Sequence, residues 1–160
     1  MRLLSVVCVS GLALATVVPA QADILKFVAN TVAQTFTTAR DLTINEQNGA
    51  FSTNFKVKKE NWVVINFSAE CLVTGSNNSY VDIDIAVRYE GTSTFVPLPP
   101  TSGDNSFCAP GTNTGSYWVS ASTAGGAVMP VGNHTVKVIA RPLGSVTSVR
   151  IDDLALYVID

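Results

Sequence analysis

Period-two alternation runs through most of this chain. In WVVINFSAEC (residues 62–71), Val63, Ile65, Phe67, Ala69 and Cys71 share one side of an extended backbone, while Asn66, Ser68 and Glu70 share the other. VDIDIAV (81–87) repeats the scheme, with Val81, Ile83, Ile85 and Val87 against Asp82, Asp84 and Ala86. HTVKVIAR (134–141) does so again, placing Val136, Val138 and Ala140 inward and Lys137 outward. Strands of this kind bury one face only, so they need a second sheet to pack against. Helical periodicity is nearly absent; only DILKFVANTVAQ (23–34) leaves a short helix and an entering strand both open. Pieces rich in Val, Thr, Ile, Phe and Tyr, cut by Gly, Pro, Asn and Ser, predict strands near 31–37, 41–45, 50–57, 61–71, 80–90, 115–123, 133–141 and 147–159. The fold class is therefore all-β, an antiparallel β-sandwich of about eight strands.

Local details refine that expectation. In the last strand Val149 and Ile151 are odd-numbered, whereas Leu154, Leu156 and Val158 are even. A one-residue change of phase predicts a β-bulge at Asp152-Asp153. Pairing 62–70 antiparallel to 80–88 would set Phe67 against Ile83 and Ile65 against Ile85 inside, and Trp62 beside Arg88 outside. A jelly roll would instead send these two strands to opposite sheets. The stretch VPLPPTSGDNSFCAPGTNTG (96–115) is irregular, because its prolines forbid a central strand.

The N-terminus reads as an export signal. Arg2 supplies the positive end, Leu3 to Val18 an apolar stretch too short to span a bilayer, and Ala20-Gln21-Ala22 a cleavage site before Asp23. Residues 1–22 are thus expected to be a signal peptide, and 23–160 one secreted or periplasmic domain without a membrane span. Past the signal only Cys71 and Cys108 remain, and an oxidising compartment predicts that they form a disulfide. Closing that loop would stabilise the fold by roughly 4 kcal/mol on the chain-entropy model. Ten Lys and Arg face twelve Asp and Glu with no basic run, which argues against nucleic-acid binding. Arg40, Arg88, Arg141 and Arg150 are scattered as on a solvated surface.

The closing segment VGNHTVKVIARPLGSVTSVRIDDLALYVID resembles the last strands of secreted jelly-roll domains, including carbohydrate-binding modules and bacterial domains similar to the tumour necrosis factor fold. INFSAEC, VDIDIAV and the Phe-Cys pair at 107–108 resemble secreted bacterial β-sandwich proteins of unassigned function. The resemblance implies a jelly roll. It carries over no binding residue, because no binding motif matches position by position.

Catalytic signatures are lacking. His134 is the one histidine and is expected in a turn leading into a strand, with no G-x-S-x-G elbow elsewhere. Alternation makes Asp82 and Asp84 a solvated strand face, with any ligand role secondary, as acceptors beside an indole. Trp62 and Trp118 are expected to face outward, with Tyr117, Val119 and Ala121 inward. Trp62, Asn66, Asp82, Asp84 and Trp118 are therefore the candidate glycan-binding residues, since indoles stack on sugar C–H faces while polar groups fix hydroxyls. Calcium is the one candidate cofactor, with Asp82, Asp84, Asp152, Asp153 and the loop of Asp104 and Asn105 as oxygen donors, although no spacing matches a known calcium loop. Asn66, Asn77 and Asn133 each begin an N-x-S/T sequon, relevant only in a eukaryotic host. Two function classes follow: an exported non-catalytic binding module, with glycan as first ligand, or a structural protein that self-assembles, as a trimer for example.

Overall fold

A computed structural model describes residues 22–101, 103, 105–110 and 117–160. The expected signal peptide, apart from Ala22, lies outside these residues, as does Asp104. Among the described residues eleven strands follow one another: β1 (Ile24–Asn30), β2 (Gln34–Phe36), β3 (Arg40–Asp41), β4 (Ser52–Val57), β5 (Asn61–Gly75), β6 (Tyr80–Arg88), β7 (Val96–Pro97), β8 (Ser106–Cys108), β9 (Val119–Met129), β10 (Gly132–Leu143) and β11 (Val146–Ile159). Among the described residues no helix is long and apolar enough to cross a membrane.

Two antiparallel sheets form. Sheet 1 runs β1-β11-β5-β9, with β2 continuing the β1 position along β11. Sheet 2 runs β3-β10-β6-β7, with β4 also on the edge of β10 and β8 on the edge of β6. Since the shortest strands share edges, the eleven described strands occupy eight positions, and the chain changes sheet at each step from one position to the next except from β6 to β7 and β8, which stay in sheet 2. That is a jelly roll. The segment 23–34, open between helix and strand, enters as β1.

The inward faces are those the alternation indicates. Val63, Ile65 and Phe67 of sheet 1 are fully buried, and Ile85, Val87, Val136 and Val138 meet them from sheet 2. Leu42 and Ile44, on the segment between β3 and β4, join the same core. Cys71 and Cys108 are bonded, tying β5 to β8 and so stapling the irregular stretch from sheet 2 across to sheet 1. The bulge falls where the change of phase puts it: the β5–β11 register shifts between Asp152 and Ala155, and Asp153 adopts φ 45°.

Three expectations are corrected. β5 does not pair with β6; it lies between β11 and β9, so Phe67 stands beside Leu156 and Thr123, and Trp62 beside Val128 rather than Arg88. The sandwich sends the two strands to opposite sheets. The strand expected at 115–123 appears as β9, which begins at Val119 and extends to Met129 through Gly125-Gly126, a pair that reads as a breaker; residues 115 and 116 lie outside the described residues. Both glycines serve close approach instead. A Cβ on Gly125 would lie 2.8 Å from Cβ of Leu98, and one on Gly126 would lie 3.1 Å from the Trp62 indole nitrogen. His134 is not in a turn but in β10, buried between the rings of Phe55 and Tyr89.

Candidate interaction surface

Asp82 and Asp84 are not solvated. Their relative exposures are 0% and 4%, and β6 is buried on both faces from Val81 to Val87. The reason is non-local. Arg141 stands opposite Asp82 in the β10–β6 register, and its Nη2 donates to Asp82 Oδ2 at 2.6 Å and to Asp84 Oδ1 at 3.2 Å. Gly103 and Asn105 then cover them: Asn105 N–H donates to Asp82 Oδ1 at 3.3 Å, and the Gly103 carbonyl accepts from Arg141 at 3.1 Å. The aspartates anchor a loop to a sheet.

Arg40, Arg88 and Arg150 are not idle surface charges either. Each guanidinium lies over a ring: Arg40 over Phe36 at 5.8 Å, Arg88 over Phe95 at 5.3 Å, and Arg150 over Trp118 at 5.2 Å. His134 has both ring nitrogens engaged. The Glu90 N–H donates to Nδ1 at 3.3 Å, so Nε2 carries the proton and donates to the Pro130 carbonyl at 2.9 Å.

The sequence-derived candidates therefore separate. Trp62 and Asn66 remain together on the outer face of sheet 1. Asp82 and Asp84 belong to sheet 2. Trp118 precedes Val119, which pairs with Cys71, so it lies about 30 Å along β5 from Trp62 at roughly 3.3 Å per residue. It is outward and half-exposed as expected, but Tyr117 and Val119, expected inward, are exposed too. The calcium candidates are split in the same way, with Asp152 and Asp153 at the β11 bulge of sheet 1 and Asp82 and Asp84 on β6. Among the described residues no three His, Cys, Asp or Glu side chains converge as a metal-holding group.

What the structure does assemble is the outer face of sheet 1. Registers across its four strands define rows. Trp62 lies beside Val128. The next row holds Ile24, Ile159, Val64 and Gly126, then Phe27, Tyr157, Asn66 and Ala124, then Ala29, Ala155, Ser68 and Ser122. No charged residue occurs in these rows; Lys26 sits at the register shift of β1 between Ile24 and Phe27, Asp23 and Asp160 pair at one end, and Glu70, Arg150, Asp152 and Asp153 follow at the other. Trp62 and Val128 are each 57% exposed, Phe27 50% and Tyr157 37%. The Phe27 and Tyr157 rings meet at 4.8 Å between centroids. Strand spacing near 4.8 Å and row spacing near 6.6 Å give a patch of roughly 500 Å² in projection. The rows mix exposed apolar side chains with the uncharged polar Asn66, Ser68 and Ser122, and the patch is at the upper end of what a monomer ordinarily exposes. The small residues Gly126, Ala124, Ala155 and Ala29 keep it flat, and Gly126 lets the Trp62 indole lie down on the sheet.

A cleft of about 600 Å³ borders this face at β1, lined by Phe27, Ala29 and the Asn45–Gln47 turn. Glu46 is fixed there by the Thr31 hydroxyl at 2.7 Å and the Thr31 N–H at 3.0 Å. The hydroxyl first, then the N–H, hold its carboxyl below the usual glutamate value. Phe27, Val128 and Tyr157 escaped the sequence reading. The parity of Tyr157 between Leu156 and Val158 was the available signal.

No family model matches the chain, and no curated protein does. Among solved structures the chain is similar to Eiger TNF from S. frugiperda, with a TM-score of 0.46 and 10% identity over 84% of this chain and 92% of that one.

Proposed function

We propose that the protein is an exported, non-catalytic assembly module that self-associates through the outer face of sheet 1. The observation that carries this reading is the block of uncharged rows on that face, bearing Trp62, Val128, Phe27 and Tyr157. Depletion of charge with enrichment of aromatic side chains is the composition of an interface core. The contrast within the molecule supports it: the other sheet carries Lys137, Asp41, Asp82, Asp84, Arg141 and Arg88, tied into ion pairs, polar contacts and ring contacts. Export agrees with the N-terminal pattern of Arg2, an apolar stretch and Ala20-Gln21-Ala22, and with the disulfide. Size-exclusion chromatography with light scattering on the purified protein tests the reading. A mass at a multiple of the chain mass, a trimer for example, supports it, and a monomer at tens of micromolar counts against it.

Glycan binding on the same face is the second reading, favoured by the exposed Trp62 indole with Asn66 two rows away. Tryptophan fluorescence shifting on glycan titration, with loss in Trp62→Ala, would distinguish it from assembly.

A further inference from the structure

At one edge of the sandwich, residues 37–39 carry the chain from β2 in sheet 1 to β3 in sheet 2. An open cleft of about 530 Å³ lies there, lined by Phe36, Thr37, Thr38, Arg40, Asp41 and Phe51. Its polar groups are unequally engaged. Both Asp41 carboxylate oxygens accept from Lys137 Nζ at 3.0 Å, so that acid is neutralised within the fold. Arg40 uses Nε on the Asp41 carbonyl at 3.3 Å and rests its guanidinium on Phe36, and among the described residues no acid pairs with it. Thr37 and Thr38 are exposed, and Phe51 shows 49% of its surface although it directly precedes a core strand. The cleft thus combines an unneutralised guanidinium, two hydroxyls and an exposed ring.

We propose that this cleft binds a uronic-acid residue, that is, a sugar bearing a carboxylate. A planar guanidinium receives a carboxylate through two parallel N–H donors. Threonine hydroxyls donate to and accept from ring hydroxyls, and the Phe51 ring takes the apolar C–H face of a pyranose. The cleft is open, so it would cover one face of a single sugar ring and leave the other in water. A neutral hexose leaves the guanidinium without a counter-charge, and a bare inorganic anion leaves Phe51 without a partner. The proposal concerns a different part of the molecule from the outer face of sheet 1 and does not depend on self-association.

The test is a two-dimensional NMR titration of the purified protein with sodium glucuronate, glucose and sodium sulfate in parallel. Glucuronate should give saturable shifts at residues 36–41 and Phe51 with a dissociation constant on the order of 1 mM, as expected for a monosaccharide-sized ligand. Glucose and sulfate should each bind about tenfold more weakly or worse, the loss expected when a charge-assisted pair or the ring contact is missing. Arg40→Gln should weaken glucuronate about tenfold, Arg40→Lys by less because charge without the fork remains, and Phe51→Ala severalfold, all with native spectra elsewhere. Absence of saturation, equal affinity for glucose or for sulfate, or an Arg40→Gln protein that binds glucuronate like the wild type would each overturn the proposal.

Discussion

Replacing Arg141 by Met is the sharpest probe of how sheet 2 holds its covering loop. The substitution keeps most of the apolar stem and removes the guanidinium from two carboxylates exposed by only 0% and 4%. Breaking a buried ion pair by deleting one partner costs about 3–5 kcal/mol, because the remaining charge is left in a poorly solvated position. The Arg141 side chain is itself 36% exposed, so the lower end, about 3 kcal/mol, is the expected loss. A solvated pair would instead be worth roughly 0–1 kcal/mol. For a domain of this size, 3 kcal/mol lowers the melting temperature by roughly 6–12 °C. Urea unfolding followed by tryptophan fluorescence, alongside a thermal scan, measures both. Adding Asp82→Asn and Asp84→Asn to the Arg141→Met protein should recover a good part of the loss, because a buried amide costs far less than an unpaired carboxylate. A loss below about 1 kcal/mol, or no recovery in the triple variant, would refute the buried-anchor account.

Replacing Cys71 and Cys108 together by Ala should cost about 2–5 kcal/mol, and the native protein should weigh two hydrogens less before reduction than after it. Asp153→Val should destabilise by about 1–2 kcal/mol, because a β-branched residue resists the φ of 45° at the bulge, while Asp153→Gly should be neutral or better in the same denaturation assay. The Glu46 carboxyl, followed by NMR as a function of pH, should titrate below the usual glutamate value in the wild type and closer to it in Thr31→Val, which removes the hydroxyl donor. Because this pKa is lowered on folding, the ionised group favours the folded turn above the unfolded value, and that contribution fades as pH falls through the folded one.

Much of the sandwich is written in single strands. Val63 to Cys71 announce their inward face, and the change of phase between Ile151 and Leu154 locates a bulge without any knowledge of its neighbours. Asp82 and Asp84 show where such reading stops. Alternation says which side of a strand a residue occupies, but not whether that side is covered. The cover comes from Arg141, 59 positions from Asp82, and from Asn105, 23 positions away. Gly125 and Gly126 mislead for a related reason, since a glycine that breaks a strand and a glycine that admits Leu98 or an indole look alike in sequence. The outer face of sheet 1 was hidden because its rows draw on four strands whose order follows from the jelly roll. Trp62 is exposed as expected, yet its meaning depends on Val128 and Tyr157 beside it.

Sedimentation velocity of the wild type and of Tyr157→Arg tests the assembly claim most directly. Tyr157 sits in the middle of the uncharged face and is 37% exposed, so an arginine there can reach water in the monomer but not in a dry contact between copies. The account predicts a wild-type oligomer at tens of micromolar and a Tyr157→Arg protein that sediments as a monomer with an unchanged circular-dichroism spectrum. A monomeric wild type, or a Tyr157→Arg protein that remains assembled, would contradict it.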